Sequence, residues 1–274
     1  KPKIIFTSNA WFGDDVFKRW MAEKIESGTM LMVGQHGGHF GMTPFSFMEK
    51  HQIDIADKWL SWGWSDKIRS QIIPIGNFKN LRQRTGYNPN GRALMVETGL
   101  PRYSCYLTAT PISSQFLDYL DDQQKFLKFL PRKICSQVLV RLYAKDFGWD
   151  QRERWKNKMP EVKIDSRNQN ILKLIRKSRL CISTSNSTTY LESLKLNVPT
   201  IIFWNPKNWE LKEKTKTYFE LLKSVGIFHE TPESAAQQII NVWDDIASWW
   251  DSKEVQNARQ KFCEEYSRDI EGSI

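Results

Sequence analysis

Short apolar runs of strand length alternate with helix-period stretches along most of the chain, and this alternation most limits the folds open to it. The runs are Lys3–Phe6, Thr29–Val33, Lys58–Trp62, Ala93–Val96, Val138–Leu142, Val162–Ile164, Leu180–Ser183 and Thr200–Phe203. After Gly13, Asp14 is placed to cap a helix whose Phe17, Met21 and Ile25 share one face. Thr43-Pro44 and Thr231-Pro232-Glu233 each set a capping hydroxyl before a proline suited to the first helical position. Asn168–Ser178 and Thr188–Leu196 are shorter amphipathic pieces, and from Thr231 the chain reads as helix almost to its end, anchored by Trp243, Trp249 and Trp250. The pattern predicts an α/β protein with parallel sheets and helices on both faces, including one doubly wound sheet between Arg92 and Phe228. A junction is expected in Pro74–Gly91, where Arg82–Gly91 is rich in turn formers without apolar period, so residues 1–85 and 86–274 read as separate units.

With 40% hydrophobic and 26% charged residues, the chain has enough apolar content for a core, which argues against wholesale disorder. Most of the 12 tryptophans are expected in that core. Cys105, Cys135, Cys181 and Cys263 are scattered without a CxxC pair, which points to a reducing compartment rather than a disulfide scaffold. Lys1-Pro2-Lys3 leads into Ile4-Ile5-Phe6 with no secretory pattern, so the Asn186-Ser187-Thr188 sequon carries little weight. The uncharged stretch Gly28–Met48 is long enough to span a bilayer, but Gln35, His36, His39, Pro44 and its glycines argue against a membrane helix.

The formal net charge of +9 is concentrated. Between Gln123 and Leu180 stand 16 Lys and Arg against 5 Asp and Glu. A solvated basic face, an anionic nucleotide, an anionic membrane surface and nucleic acid are all compatible with that excess. The segment has no RNP, helix-turn-helix or zinc-finger pattern, so a nucleic-acid partner is not expected.

Three loops follow strands, at the edge where open α/β sheets bind ligands. The first is Gly34-Gln35-His36-Gly37-Gly38-His39-Phe40-Gly41. Its glycines permit close backbone approach, and His36 or His39 can act as general base or as donor to an anion. A plain glycine-rich turn and a zinc site are the competing readings, although no third metal ligand is evident nearby. The second loop, Ser183-Thr184-Ser185-Asn186-Ser187-Thr188-Thr189, puts hydroxyls at a strand-to-helix turn, which suits a phosphate at a helix N-terminus as well as it suits a simple cap. It lacks the GK[ST] of a Walker loop. Glu192 beyond it suits either a sugar hydroxyl or the helix dipole. The third is Pro199–Pro206, where Trp204 and Asn205 either line a cleft or pack. Arg102, Arg141 and Lys145, at strand ends, read as phosphate clamps or as surface charges.

Taken together, Gln35–Gly41, Asp57-Lys58-Trp59-Leu60-Ser61-Trp62-Gly63-Trp64, Ser183–Thr189 with Leu191-Glu192, and Pro199–Pro206 resemble a group of bacterial transferases encoded in capsule and lipopolysaccharide gene clusters. More distantly they are similar to the capsule-type Kdo transferases and the CDP-glycerol glycerophosphotransferases, all of GT-B type. The resemblance implies two Rossmann-like halves with the active site between them, residues 1–85 being the later part of an incomplete acceptor-side half and residues 86–274 the donor-binding half with a helical tail. It implies a glycosyltransferase that takes a nucleotide-activated sugar, CMP- or CDP-linked, and a glycan or lipid-linked saccharide acceptor. No permanently bound cofactor or metal is expected, the setting being the cytoplasm or the inner face of the plasma membrane, with peripheral contact to anionic lipid. In that picture His36, with His39 in reserve, is catalytic, and Gln35, Gly37 and Gly38 complete the acceptor-side loop. Ser185, Asn186, Ser187, Thr188, Thr189, Glu192, Arg102, Arg141, Lys145, Trp204 and Asn205 serve the donor. A nucleotide-sugar epimerase of the same architecture, a nucleotide-binding chain without catalysis and a basic nucleic-acid-binding protein are the alternatives.

Overall fold

Two sheets, both parallel throughout, carry the chain in a computed structural model that describes residues 2–77, 86–103 and 108–270. Cys105 and the stretch 78–85 of the expected junction lie outside the described residues. The first sheet pairs β1 (Ile4–Thr7), β2 (Met30–Gly34), β3 (Lys58–Ser61) and β4 (Ile72–Pro74) in chain order. The second contains β5 (Ala93–Val96), β6 (Val138–Arg141), β7 (Lys163–Ile164), β8 (Leu180–Ser183), β9 (Thr200–Phe203) and β10 (Phe228–His229), arranged β10-β9-β8-β5-β6-β7. This is the Rossmann order: the sheet grows outward from β5 on one side, then returns and grows from β8 on the other. The expected α/β class and doubly wound parallel sheet are therefore present.

Helices α1 (Ala10–Gly13), α2 (Asp15–Glu26) and α3 (Phe47–Ile55) belong to the first sheet's connections. The second sheet is served by α4 (Gln115–Phe129), α5 (Arg132–Cys135), α6 (Gln151–Lys158), α7 (Ile171–Lys177), α8 (Thr188–Lys195), α9 (Glu213–Ser224) and α10 (Pro232–Val242). The tail is α11 (Ile246–Trp250) and α12 (Lys253–Tyr266). Alternation along the strands sorts the packing. Leu94 and Cys181 meet Ile175 of α7 and Leu196 on one face, while Ala93, Met95 and Ile182 belong to the main core with Phe116 of α4 and Ile239 of α10.

Caps explain several helix starts. The Asp14 carboxylate accepts from Phe17 N at 2.8 Å, and the Thr231 hydroxyl accepts from Ser234 N at 3.2 Å before Pro232, both as the sequence indicates. Thr43-Pro44 does not start a helix. Ser46 caps α3 instead, its hydroxyl accepting from Glu49 N at 3.4 Å, so the chain between Gly34 and Ser46 stays irregular and free to form a loop.

The tail crosses back onto the first sheet. Beyond α12, Arg268 N donates to Trp62 O, Asn77 N donates to Arg268 O, and Lys195 of α8 pairs with Asp269 at 2.8 Å. Gly63 and Gly76, both at positive φ, leave room for this strap: a Cβ on either would stand within 3.0 Å of tail carbonyl oxygens. Ten of the tryptophans are buried, including Trp59, Trp62 and Trp64 of the motif after β2 and α3.

Candidate functional site

The glycine-rich loop after β2 is held from behind. Buried Gln35 donates through Nε2 to Gly37 O at 2.8 Å, and its Oε1 accepts from Trp62 N and Trp64 Nε1. Gln35 therefore anchors the loop. Gly41, at φ +80°, gives its amide to Glu49 Oε2 at 2.7 Å, and Lys212 Nζ donates to the other Glu49 oxygen at 3.2 Å. Lys212 N also donates to Met42 O. A residue preceding α9 thus ties the first sheet's loop to the second sheet, a tie that sequence reading missed. The Ser46-x-x-Glu49 spacing is a capping-box signal that points to Glu49, though not to its far partner.

The loop after β8 is fixed by a relay through α4. Thr98 N donates to Tyr119 Oη at 2.9 Å, Tyr119 Oη lies 2.8 Å from Thr184 Oγ1, and Thr184 donates to Val96 O at 2.9 Å. These bonds pin together the ends of β5 and β8, the two strands where the sheet's winding reverses. Tyr190 donates to Asn186 Oδ1 at 2.9 Å, leaving Asn186 Nδ2 buried without a partner. Ser185 donates to Ser187 Oγ at 3.1 Å, and Ser187, although at the N-cap of α8, makes no side-chain bond to the helix amides.

The two loops touch. A Cβ on Gly38 would lie 2.4 Å from Ser187 O and 2.9 Å from Thr188 Cα. Beside this contact opens a cavity of about 380 Å³, walled by Gly37, Gly38, His39, Phe47 and Met48 from one side. The other side is Thr98–Pro101 after β5, Tyr143 after β6, Asn186–Thr188 after β8, and Trp209. It therefore sits at the carboxyl edge and at the winding switch, where such sheets take ligands. A second cavity, of about 640 Å³, lies on the far side of Ser46 and Phe47 and is bounded by Phe45, Lys50, Trp64, Ile68, Arg69 and Lys212, among others.

His39 lies in the first cavity's wall, its Nε2 at 3.5 Å from Ser46 Oγ. Burial, reinforced by nearby His36, pushes its pKa down to about 4, so it is neutral near pH 7. His36 is half-buried beside it, edge-on to Phe40 at 5.0 Å, and does not line the cavity. Thr189 follows Thr188 in the first turn of α8, half-buried, and Glu192 is buried in the same helix.

Five other expected donor residues lie outside the wall of this cavity. Arg141 is buried and pairs with Asp165 at 2.6 Å, so its charge is used inside the fold. Trp204 packs among Tyr190, Phe219 and Phe228 in the core, and Asn205 caps the following turn by accepting from Lys207 N. Lys145 is exposed, with Nζ 5.0 Å from the Phe147 ring. Arg102 donates to Gly148 O at 3.0 Å and lies over Trp149, near the mouth but not in the wall.

At the end of β5, Glu97 is buried, accepts from Trp155 Nε1 at 2.9 Å through one oxygen, and leaves the other unpartnered. Burial pushes its pKa up to about 8. Among the described residues, no group of three or more His, Cys, Asp or Glu is placed to hold a metal ion, and no helix is long and apolar enough to cross a membrane.

A family described as LIC12162 family transferase matches residues 1–274. No curated protein matches the chain. Among solved structures it is similar to Spinosyn Rhamnosyltransferase SpnG, at 12% identity and TM-score 0.44, over 95% of this chain and 68% of that one. The same enzyme complexed with thymidine diphosphate is matched at 11% identity and TM-score 0.42, with the same coverage. WaaG, a glycosyltransferase involved in lipopolysaccharide biosynthesis, is matched at 9% identity and TM-score 0.42, over 92% of this chain and 77% of that one.

Proposed function

The chain belongs to the LIC12162 family of transferases, and we propose that it moves a sugar from a nucleotide-activated donor, cytidine-linked as CMP or CDP, to a surface-glycan or lipid-linked saccharide acceptor. The observation that carries this reading is the contact of Gly38 with Ser187, which puts an imidazole-bearing loop and a helix N-terminus on one cavity.

In this reading residues 86–274 hold the donor in a GT-B-like arrangement, and residues 1–85 present the acceptor. The donor phosphate meets the first turn of α8, the Asn186 amide and the hydroxyls of Ser187 and Thr188, where helix amides and dipole favour an anion. The acceptor hydroxyl approaches from the His39 side. Its oxygen bonds to the anomeric carbon, the bond from that carbon to the phosphate oxygen breaks, and the electron pair leaves on the phosphate. The hydroxyl proton passes to His39, whose unprotonated ring is ready to accept it. Its low basicity in the empty cavity rises when a phosphate enters, because a nearby anion stabilises imidazolium. His36 flanks His39 and tunes it. The basic segment between Gln123 and Leu180 suits contact with anionic lipid at the inner membrane face.

The test is a panel of nucleotide sugars incubated with the chain and a lipid-linked or glycan acceptor, scored for free nucleotide and extended product. Transfer with release of nucleotide supports the reading. Epimerised or hydrolysed sugar without transfer contradicts it.

A further inference from the structure

We infer that the cavity takes a donor whose sugar is joined through a single phosphate, a nucleoside monophosphate-linked sugar, rather than through a diphosphate. This rests on the nucleotide-donor reading above and narrows it. The warrant is the charge of the wall. Among the described residues lining the cavity there is no Lys, Arg, Asp or Glu. The polar groups are hydroxyls, the Asn186 amide and His39, which burial keeps neutral near pH 7.

The cations on the same edge of the sheet stand outside the wall. Arg141 is buried against Asp165, while Arg102, bonded to the Gly148 carbonyl, and Lys145, 5.0 Å from the Phe147 ring, are exposed outside the wall. Within the wall an anion meets the positive end of α8, equivalent to about half an elementary charge, and neutral donors. Two observations show those donors to be available: the Ser187 hydroxyl leaves the helix amides uncapped, and buried Asn186 has an Nδ2 group without a partner. About half a positive charge offsets half of a single phosphate's charge and only a quarter of the charge on two. The desolvation cost of an ion grows as the square of its charge, so doubling the charge costs about four times as much in the same wall.

The departing group carries the argument further. Cleavage of the bond between the anomeric carbon and the phosphate oxygen leaves an electron pair on that oxygen, so the nucleotide leaves with one more negative charge than it had in the donor. A monophosphate leaves as a dianion and a diphosphate as a trianion, so a wall of this kind penalises the former less.

The experiment is calorimetric titration of the whole chain, in buffer containing EDTA, with CMP against CDP and UMP against UDP. The Asn186→Ala variant is titrated beside the wild type, its fold checked by thermal unfolding. The expected result is that each monophosphate binds at least about tenfold more tightly than its diphosphate, with roughly tenfold weaker binding in Asn186→Ala. Diphosphates that bind as tightly or more tightly, with the same dependence on Asn186, overturn the single-phosphate inference and leave the donor site standing. Absence of binding by all four nucleotides, or binding indifferent to Asn186, overturns the donor-site reading and the inference with it. The wild-type comparison needs no variant, so a misfolded Asn186→Ala does not remove the test.

Discussion

Gly38 and Ser187, 149 residues apart in the chain by their numbers, lie in such contact that a Cβ on the former would stand 2.4 Å from the carbonyl oxygen of the latter. Both neighbouring atoms are backbone, which cannot swing aside. Gly38→Ala therefore forces the loops apart. A stability loss of about 1–3 kcal/mol is expected in urea unfolding, with weakened nucleotide binding by calorimetry. An unchanged midpoint and unchanged affinity would show that the loops slide past one another freely.

The contact is held by Glu49, whose carboxylate accepts from both Gly41 N and Lys212 Nζ. Glu49→Ala should cost about 2–3 kcal/mol, since two bonds to a nearly buried charge are lost. A double-mutant cycle with Lys212→Met should show coupling of about 0.5–1 kcal/mol, kept small by the partial exposure of Lys212. Purely additive losses would mean that the two residues stabilise the protein separately.

The buried pair of Arg141 with Asp165 sets a structural role against a donor-binding one. Its pairing with Asp165 is buried, so Arg141→Met strands a carboxylate and should cost about 3–5 kcal/mol. Arg141→Met with Asp165→Leu should recover much of that loss. The double variant should also bind nucleotide as the wild type does. A large fall in affinity in a well-folded double variant would return Arg141 to the donor site.

Glu97 and His39 give stability opposite dependences on pH. The folded pKa of Glu97, about 8, lies above its ordinary value of 4.5, so the native state holds more protons than the unfolded state between them. Its contribution is present below pH 4.5 and is lost as pH rises toward 8. His39 is the reverse: its folded value, about 4, lies below 6.5, so stability is lost as pH falls from 6.5 toward 4. Glu97→Gln should therefore gain stability relative to wild type as pH rises from 4.5 to 8, by a few kcal/mol at most. Equal pH profiles for the two proteins in denaturant melts would refute the buried acid.

The fold was legible where burial leaves a local imprint. Strands β5, β8 and β9 have the ends expected from their apolar runs, because strands covered on both faces read as uninterrupted hydrophobic stretches. Strand β10 was not: two residues, Phe228 and His229, are too few to make a period. The irregular turn between β8 and α8 followed from hydroxyls at a strand end. What no local pattern conveys is which way a side chain at a strand end turns. Arg141 reads as a phosphate clamp until Asp165, on the strand connection beyond, is seen to claim it. Thr43-Pro44 reads as a helix start until Ser46, three residues before Glu49, takes that part. His39 lines the cavity and His36 does not, a tertiary detail absent from the spacing.

In the proposed function one cavity divides its labour, the α8 end holding the donor and His39 serving the acceptor. Paired calorimetry and single-turnover transfer on His39→Ala tests it most directly. The expected result is nucleotide affinity within about threefold of wild type and a transfer rate lower by roughly 10²–10⁴-fold, the usual contribution of a general base. Nucleotide binding abolished by the substitution, or transfer left at the wild-type rate, would contradict it.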